Sequence, residues 1–228
     1  MQLKTVSVAL PRDVPHGDRT VSTGIFKTAV NGPVRVLTEQ LEGDGQADRV
    51  HHGGPDKAVY AYSLDHYAWW RQQLGRDDLV PGHFGENLTI AGLDENELCL
   101  GDQLAIGSAR FVVTQPRVPC FKLGLRFGDA DMPKRFADSL RCGAYLRVLE
   151  PGSIEAGDRV QRVARGHDRI AIGPVFHAYL HPNEPAAQAL LARALTVPEL
   201  SAEWHSSIER RLARRHADGL SPGNGEAP

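Results

Sequence analysis

Phe111-Val112-Val113-Thr114-Gln115-Pro116-Arg117-Val118-Pro119-Cys120-Phe121-Lys122-Leu123 is the stretch on which the reading of this chain turns. Its first residues alternate, with Phe111 and Val113 on one side, as a half-buried strand requires. Pro116 and Pro119 then stiffen the loop that leads to the cysteine. Arg117 and Lys122, with Arg126 just beyond, surround Cys120 with positive charge. Such surroundings favour the thiolate, which binds soft metals or attacks electrophiles. The alternative for Cys120 is a small buried hydrophobe. Cys99, inside Leu98-Cys99-Leu100, and Cys142, before Gly143 at the start of a strand, read as structural.

Outward from this stretch the same alternation recurs at Val6, Val8 and Leu10, at Val34 and Val36, at Val59 and Ala61, and at Leu146 and Val148. Turns rich in glycine and proline separate these segments, among them Asn31-Gly32-Pro33, Gly53-Gly54-Pro55 and Pro81-Gly82. The spacing predicts a mainly β, α+β fold built on a compact β-barrel rather than on alternating βαβ units. Two covering helices are expected. One carries Tyr67, Trp70 and Leu74 after a cap at Ser63, and the other carries Phe136 and Leu140 after Asp131.

Beyond Gly166 the apolar period becomes helical, in three groups: Val175, Phe176, Tyr179 and Leu180; Ala187, Leu190, Leu191 and Ala194; Trp204, Ile208 and Leu212. Asn183 with Pro185 starts the second helix, and Thr196 with Glu199 has capping-box spacing for the third. The expected organisation is a barrel over residues 1–165, a three-helix domain over 166–218 and a disordered tail over 219–228.

With 41% hydrophobic and 24% charged residues and a formal net charge of -2, the chain has the composition of an ordinary globular protein. Its charge gives no global case for binding a nucleic acid polymer. No apolar run approaches the roughly 20 residues of a membrane-spanning helix. Met1 to Pro11 lacks the pattern of a secretory signal and reads as a strand. The three cysteines match no zinc or iron–sulfur spacing, so a reduced, cytoplasmic setting is expected.

Two further segments can hold a polar ligand. In His51-His52-Gly53-Gly54-Pro55-Asp56-Lys57-Ala58-Val59-Tyr60, paired glycines can present backbone N–H groups in a concave nest, with His52 and Lys57 beside it. That suits a phosphate, although a tight turn explains Gly-Gly-Pro equally well. His83-Phe84-Gly85-Glu86-Asn87-Leu88 offers an acid and an amide side by side, with a plain turn into a strand as its alternative. Zinc is disfavoured, because adjacent His51 and His52 diverge on an extended backbone and no His-Glu-x-x-His occurs. Arg210, Arg211, Arg214 and Arg215 give the last helix a basic side that reads as a solvated face or a dock for an acidic partner.

Taken in order, His52-Gly53-Gly54-Pro55 with Lys57, Phe84-Gly85-Glu86-Asn87-Leu88 and Gln115-Pro116-Arg117-x-Pro119-Cys120-x-Lys122-Leu123 closely resemble the MOSC family, in particular its YiiM-like branch. The three-helix ending resembles the small helical domain of that branch, so the likeness spans nearly the whole chain. The resemblance implies a β-barrel that binds the molybdenum cofactor, with Cys120 as metal ligand. It implies reduction of N-hydroxylated compounds of the hydroxylaminopurine or amidoxime type. Lys27, in the family-like Gly24-Ile25-Phe26-Lys27, is implied as a catalytic pocket residue. His52, Gly53, Gly54, Lys57, Asn87 and Arg117 are the expected cofactor-binding residues, since cations and fixed N–H groups offset the charge of a pterin phosphate.

The chain has no G-x-G-x-x-G fingerprint and no cysteine set for a cluster, so a separate electron-donating reductase is expected. Two rival readings stay open. One is a molybdenum-cofactor or sulfur carrier without its own turnover, with a persulfide on Cys120. The other is a hydrolase in which His52 or His83 activates Cys120. A homodimer is a further expectation, resting only on how common two-fold oligomers are.

Overall fold

The computed structural model describes residues 1–47 and 53–219, with side chains to residue 214. Among the described residues it contains twelve strands and six α-helices. The first part runs β1 (Gln2–Val8), β2 (Arg12–His16), β3 (Arg19–Thr23), β4 (Thr28–Val30), β5 (Val34–Val36), β6 (Val59–Ser63), α1 (His66–Leu74), β7 (Leu88–Ala91), β8 (Gln103–Ile106) and β9 (Ala109–Pro116). Then follow α2 (Phe121–Phe127), α3 (Met132–Ser139), β10 (Ala144–Glu150), β11 (Gly152–Ile154) and β12 (Val160–Ala164). The chain closes with α4 (Ile172–Leu180), α5 (Pro185–Ala194) and α6 (Ala202–Gly219). No helix among the described residues is long and apolar enough to cross a membrane.

Eight strands form one sheet in the order β12-β8-β9-β10-β6-β7-β1-β4. All neighbours pair antiparallel except β6 and β7. The β12 edge of this sheet curls back to β1, the strand next to its other edge. Gln2 bridges Arg159, Leu3 N–H donates to Asp158 O at 2.9 Å, and Val160 N–H donates to Met1 O at 3.0 Å. The expected barrel is thus a curled sheet joined at one bridge rather than along a full ladder. Two short pairs, β2 with β3 and β5 with β11, stand apart from it.

Alternation puts different chemistry on the two faces of β6. Val59 and Ala61 enter a core with Leu3, Leu88, Phe111, Val113 and Leu146, and this core continues without a break into Val175, Leu191, Trp204 and Ile208 of the last three helices. Tyr60 and Tyr62 face the other way, into an aromatic cluster with Tyr67, Trp70, Phe84, Phe127 and Phe136 beneath α1, α2 and α3. Each such side chain contributes on the order of 1.5–3 kcal/mol by leaving water. With both faces covered, all five residues of β6 are buried. Trp70 Nε1 donates to Tyr62 Oη at 2.8 Å, which satisfies the indole inside that cluster.

Several local expectations are corrected. Ser63 does not cap α1; its hydroxyl donates to Leu93 O at 2.8 Å. Thr196 donates to Arg193 O at 2.8 Å, and the cap of α6 is Ser201, whose Oγ accepts Trp204 N–H at 3.1 Å. The hydroxyl of Ser201 is one residue from the helix start, where an orphan N–H needs it. Leu10 lies beyond the end of β1 and is exposed. The loop after Pro119 turns into α2, which buries Leu123 and Phe127 and ends at Gly128 with φ 66°. Gly219 belongs to α6, and the remainder of the expected tail lies outside the described residues.

Candidate functional site

The β9–α2 junction sets the site. Pro116 is still paired with Ala144 of β10, and four residues later Cys120 takes the N-cap position of α2 with extended φ and ψ. An N-cap residue stands half outside its helix, so its side chain is presented rather than packed. Cys120 is partly exposed, whereas Cys99 and Cys142 are buried, and burial pushes the pKa of both those thiols up, which keeps them protonated.

Cys120 opens onto a cleft that also takes Lys27, Lys57, Asn87, Arg117 and Lys122. Six residues singled out in the sequence therefore meet there, although they come from separate segments. Arg126 does not line the cleft; its guanidinium lies 5.3 Å from the Phe26 ring. Gly53 and Gly54 are also absent from the described lining. Gly54 N–H donates to Gln46 Oε1 at 2.8 Å, so that donor is engaged within the chain. His52 lies outside the described residues.

Arg117 is only 5% exposed, yet its Nη1 has no hydrogen-bond partner among the described residues. The rings of Tyr60 and Phe136 lie 4.8 Å and 5.1 Å from the guanidinium carbon. Burial opposes the charge, but Tyr60, Tyr145 and Cys120 outweigh it, and the guanidinium is held ionised more firmly than usual. A buried charged donor without an acceptor is costly unless a ligand completes it.

Lys27 is the opposite case. Burial lowers its ionisation below the usual lysine range, and Asp44, with which it forms an ion pair, offsets part of that cost. The same carboxylate accepts Ala9 N–H at 2.9 Å and Asn87 Nδ2 at 2.9 Å. Asn87 in turn accepts Tyr60 N–H at 3.0 Å. Lys57 pairs with Glu203 of α6, and its ammonium lies 6.0 Å from the Tyr145 ring.

Residues 48–161 match the MOSC domain, and residues 172–215 match the YiiM-like, 3-alpha helix domain. The chain belongs to the MOSC family. The uncharacterized protein YflK of Bacillus subtilis is 35% identical over 92% of this chain and 94% of its own length. The crystal structure of YiiM from Geobacillus stearothermophilus superposes with a TM-score of 0.77 at 34% identity, covering 92% of this chain and 98% of that one. A protein named reductase from Gibberella moniliformis is 34% identical over 67% of this chain, which corresponds to 28% of that protein.

In this MOSC chain the acid of the Phe84–Leu88 segment serves the fold. Glu86 is fully buried and accepts Gly82 N–H at 2.8 Å, Phe84 N–H at 3.1 Å and Thr89 Oγ1 at 2.9 Å, besides the hydroxyl of Tyr67. Burial pushes its pKa above the usual carboxylate range, so the acid ionises less readily. His83, the alternative base, is not among the cleft residues and lies edge-on to Phe127 at 4.8 Å. Asp44, Tyr60, Tyr145 and Glu203 were missed in the sequence. Tyr60 and Tyr145 sit opposite each other in the β6–β10 register, and only their aromatic character within apolar strands hinted at a role.

Proposed function

We propose that this MOSC protein is a molybdenum-cofactor-dependent reductase of N-hydroxylated compounds that takes its electrons from a separate reductase. One observation carries the reading: a partly exposed thiol shares one cleft with a buried guanidinium, one nitrogen of which has no partner among the described residues. A thiolate is a soft metal ligand, and an orphaned guanidinium nitrogen calls for a phosphate or another anion. Those two needs fit a group that joins a soft metal to an anionic pterin. The relative named reductase supports the general kind of activity.

When bound, the cofactor supplies the two-electron redox change. Cys120 would hold the metal, while Arg117 and Lys57 would offset the charge of the pterin and its phosphate. Asn87 contributes by fixing Asp44 and the Tyr60 backbone on the cleft wall. Lys27, whose ammonium is made more acidic by burial, is the proposed proton source. The balance is simple. The N–O bond breaks, two electrons and two protons enter, the nitrogen keeps one new N–H and the oxygen leaves as water.

The decisive measurement is elemental analysis of the chain purified from a molybdenum-replete host. Native protein is expected to carry molybdenum, Cys120→Ala to lose it with its fold intact, and reduction of an N-hydroxylated base to require an added reductase. Folded native protein without molybdenum, or robust turnover with NADPH and this chain alone, would overturn the proposal.

A further inference from the structure

The three-helix ending is fastened to segments that wall the cleft. Ser201, immediately before α6, donates its hydroxyl to Gln115 Oε1 at 2.5 Å, and Gln115 lies on β9 just ahead of Arg117. The Ser201 N–H donates to Thr114 O at 3.4 Å. Arg147 clamps Asp56, next to Lys57, at 2.6 Å and donates to Glu199 O at 3.3 Å. The first turn of α6 then sends Glu203 to the Lys57 ammonium. Both the segment that carries Cys120 and the turn that carries Lys57 are therefore fastened to one end of one helix.

The two partners of that ion pair differ in freedom. The side chain of Glu203 is 54% exposed and that of Lys57 only 7%. An exposed carboxylate can turn into water at little cost, because exposed ion pairs are worth only about 0–1 kcal/mol. A buried ammonium cannot follow it. An anion that enters the cleft therefore meets a carboxylate already seated on one of its cations, and the carboxylate is the group that yields.

We propose that Glu203 is a built-in counter-ion of the cleft, displaced from Lys57 when a ligand with a phosphate group binds, so that the helical ending registers whether the cleft is filled. The proposal rests on the reading above only in that the cleft takes an anion. Binding and displacement are linked reciprocally, so removal of the carboxylate strengthens anion binding.

Inorganic phosphate is the probe, titrated calorimetrically into the full chain prepared without cofactor. Glu203→Gln is expected to tighten phosphate binding roughly three- to five-fold, as the loss of a half-exposed pair allows. Glu203→Ala is expected to do the same, which guards against an effect of the new amide. In a Lys57→Met background Glu203→Gln should change nothing. Unchanged or weaker binding in both Glu203 variants overturns the proposal, as does an equal gain in the Lys57→Met background, or no phosphate binding by any of these proteins. A protein that never holds molybdenum would refute the reductase reading and leave this exchange intact, because the probe needs no metal.

Discussion

Lys27 and Arg117 are two buried cations of the same cleft, and the chain treats them differently. Lys27 closes on Asp44, which is itself fixed by Ala9 N–H and by Asn87. Arg117 keeps a nitrogen without a partner among the described residues, while aromatic rings cover the guanidinium. The first arrangement is complete as it stands, and the second is complete only with an anion in place. Burial of a cation is thus a poor sign of ligand binding. Retained charge combined with an unmet hydrogen bond is a better one.

The largest expected effect tests the completed side. Asp44→Ala leaves the buried Lys27 ammonium without its counter-charge and costs Asn87 an acceptor. Breaking a buried pair by removing one partner destabilises by about 3–5 kcal/mol. Urea unfolding at neutral pH measures it directly. A loss below about 1 kcal/mol, the range of an exposed pair, would mean that the Lys27 side is no more structural than the Arg117 side, and the contrast would fail.

His83 sharpens the contrast, because both of its ring nitrogens also lack partners among the described residues and yet it reads as no ligand site. The difference is charge. Burial first, then the nearby Arg126 and Arg76, push its pKa down to about 4. The ring is neutral where Arg117 stays ionised. Between the unfolded value near 6.5 and about 4 the unfolded chain binds a proton that the folded chain refuses, so stability falls as pH drops through that window, by about 3 kcal/mol at most. Unfolding curves across that window should show the loss in native protein and a reduced loss in His83→Phe. Identical pH profiles for the two would remove His83 from the argument.

Much of the fold was legible because its signals are local. Alternation marked β1, β5, β6, β9 and β10, and helical period marked α4, α5 and α6. Cys120 stood out through its immediate neighbours. Helix α2 was hidden by the two prolines that precede it, although Leu123 and Phe127 four residues apart and Gly128 beyond them carried its signature. Thr196 with Glu199 mimicked a capping box, whereas the cap is the single Ser201 hydroxyl. The missed partners of cleft residues share another cause. Asp44 acquires meaning only when the fold brings Lys27 and Asn87 to it, and Glu203 meets Lys57 across 146 residues of sequence. No local pattern encodes such pairings.

The smallest expected change in stability belongs to Arg117 itself, and it is the most telling. Arg117→Met keeps the length and the contact with the Tyr60 and Phe136 rings while removing a charge that the folded chain does not fully satisfy. Replacing such a buried ion by an apolar side chain of similar volume is often neutral or stabilising, so unfolding should shift by no more than about 1 kcal/mol in either direction. Phosphate affinity should nevertheless fall roughly ten-fold or more, the worth of a hydrogen bond to a charged group. A large loss of stability with unchanged phosphate binding would invert the contrast. Arg117 would then be the structural cation, and the ligand's anion would have to be held elsewhere in the cleft.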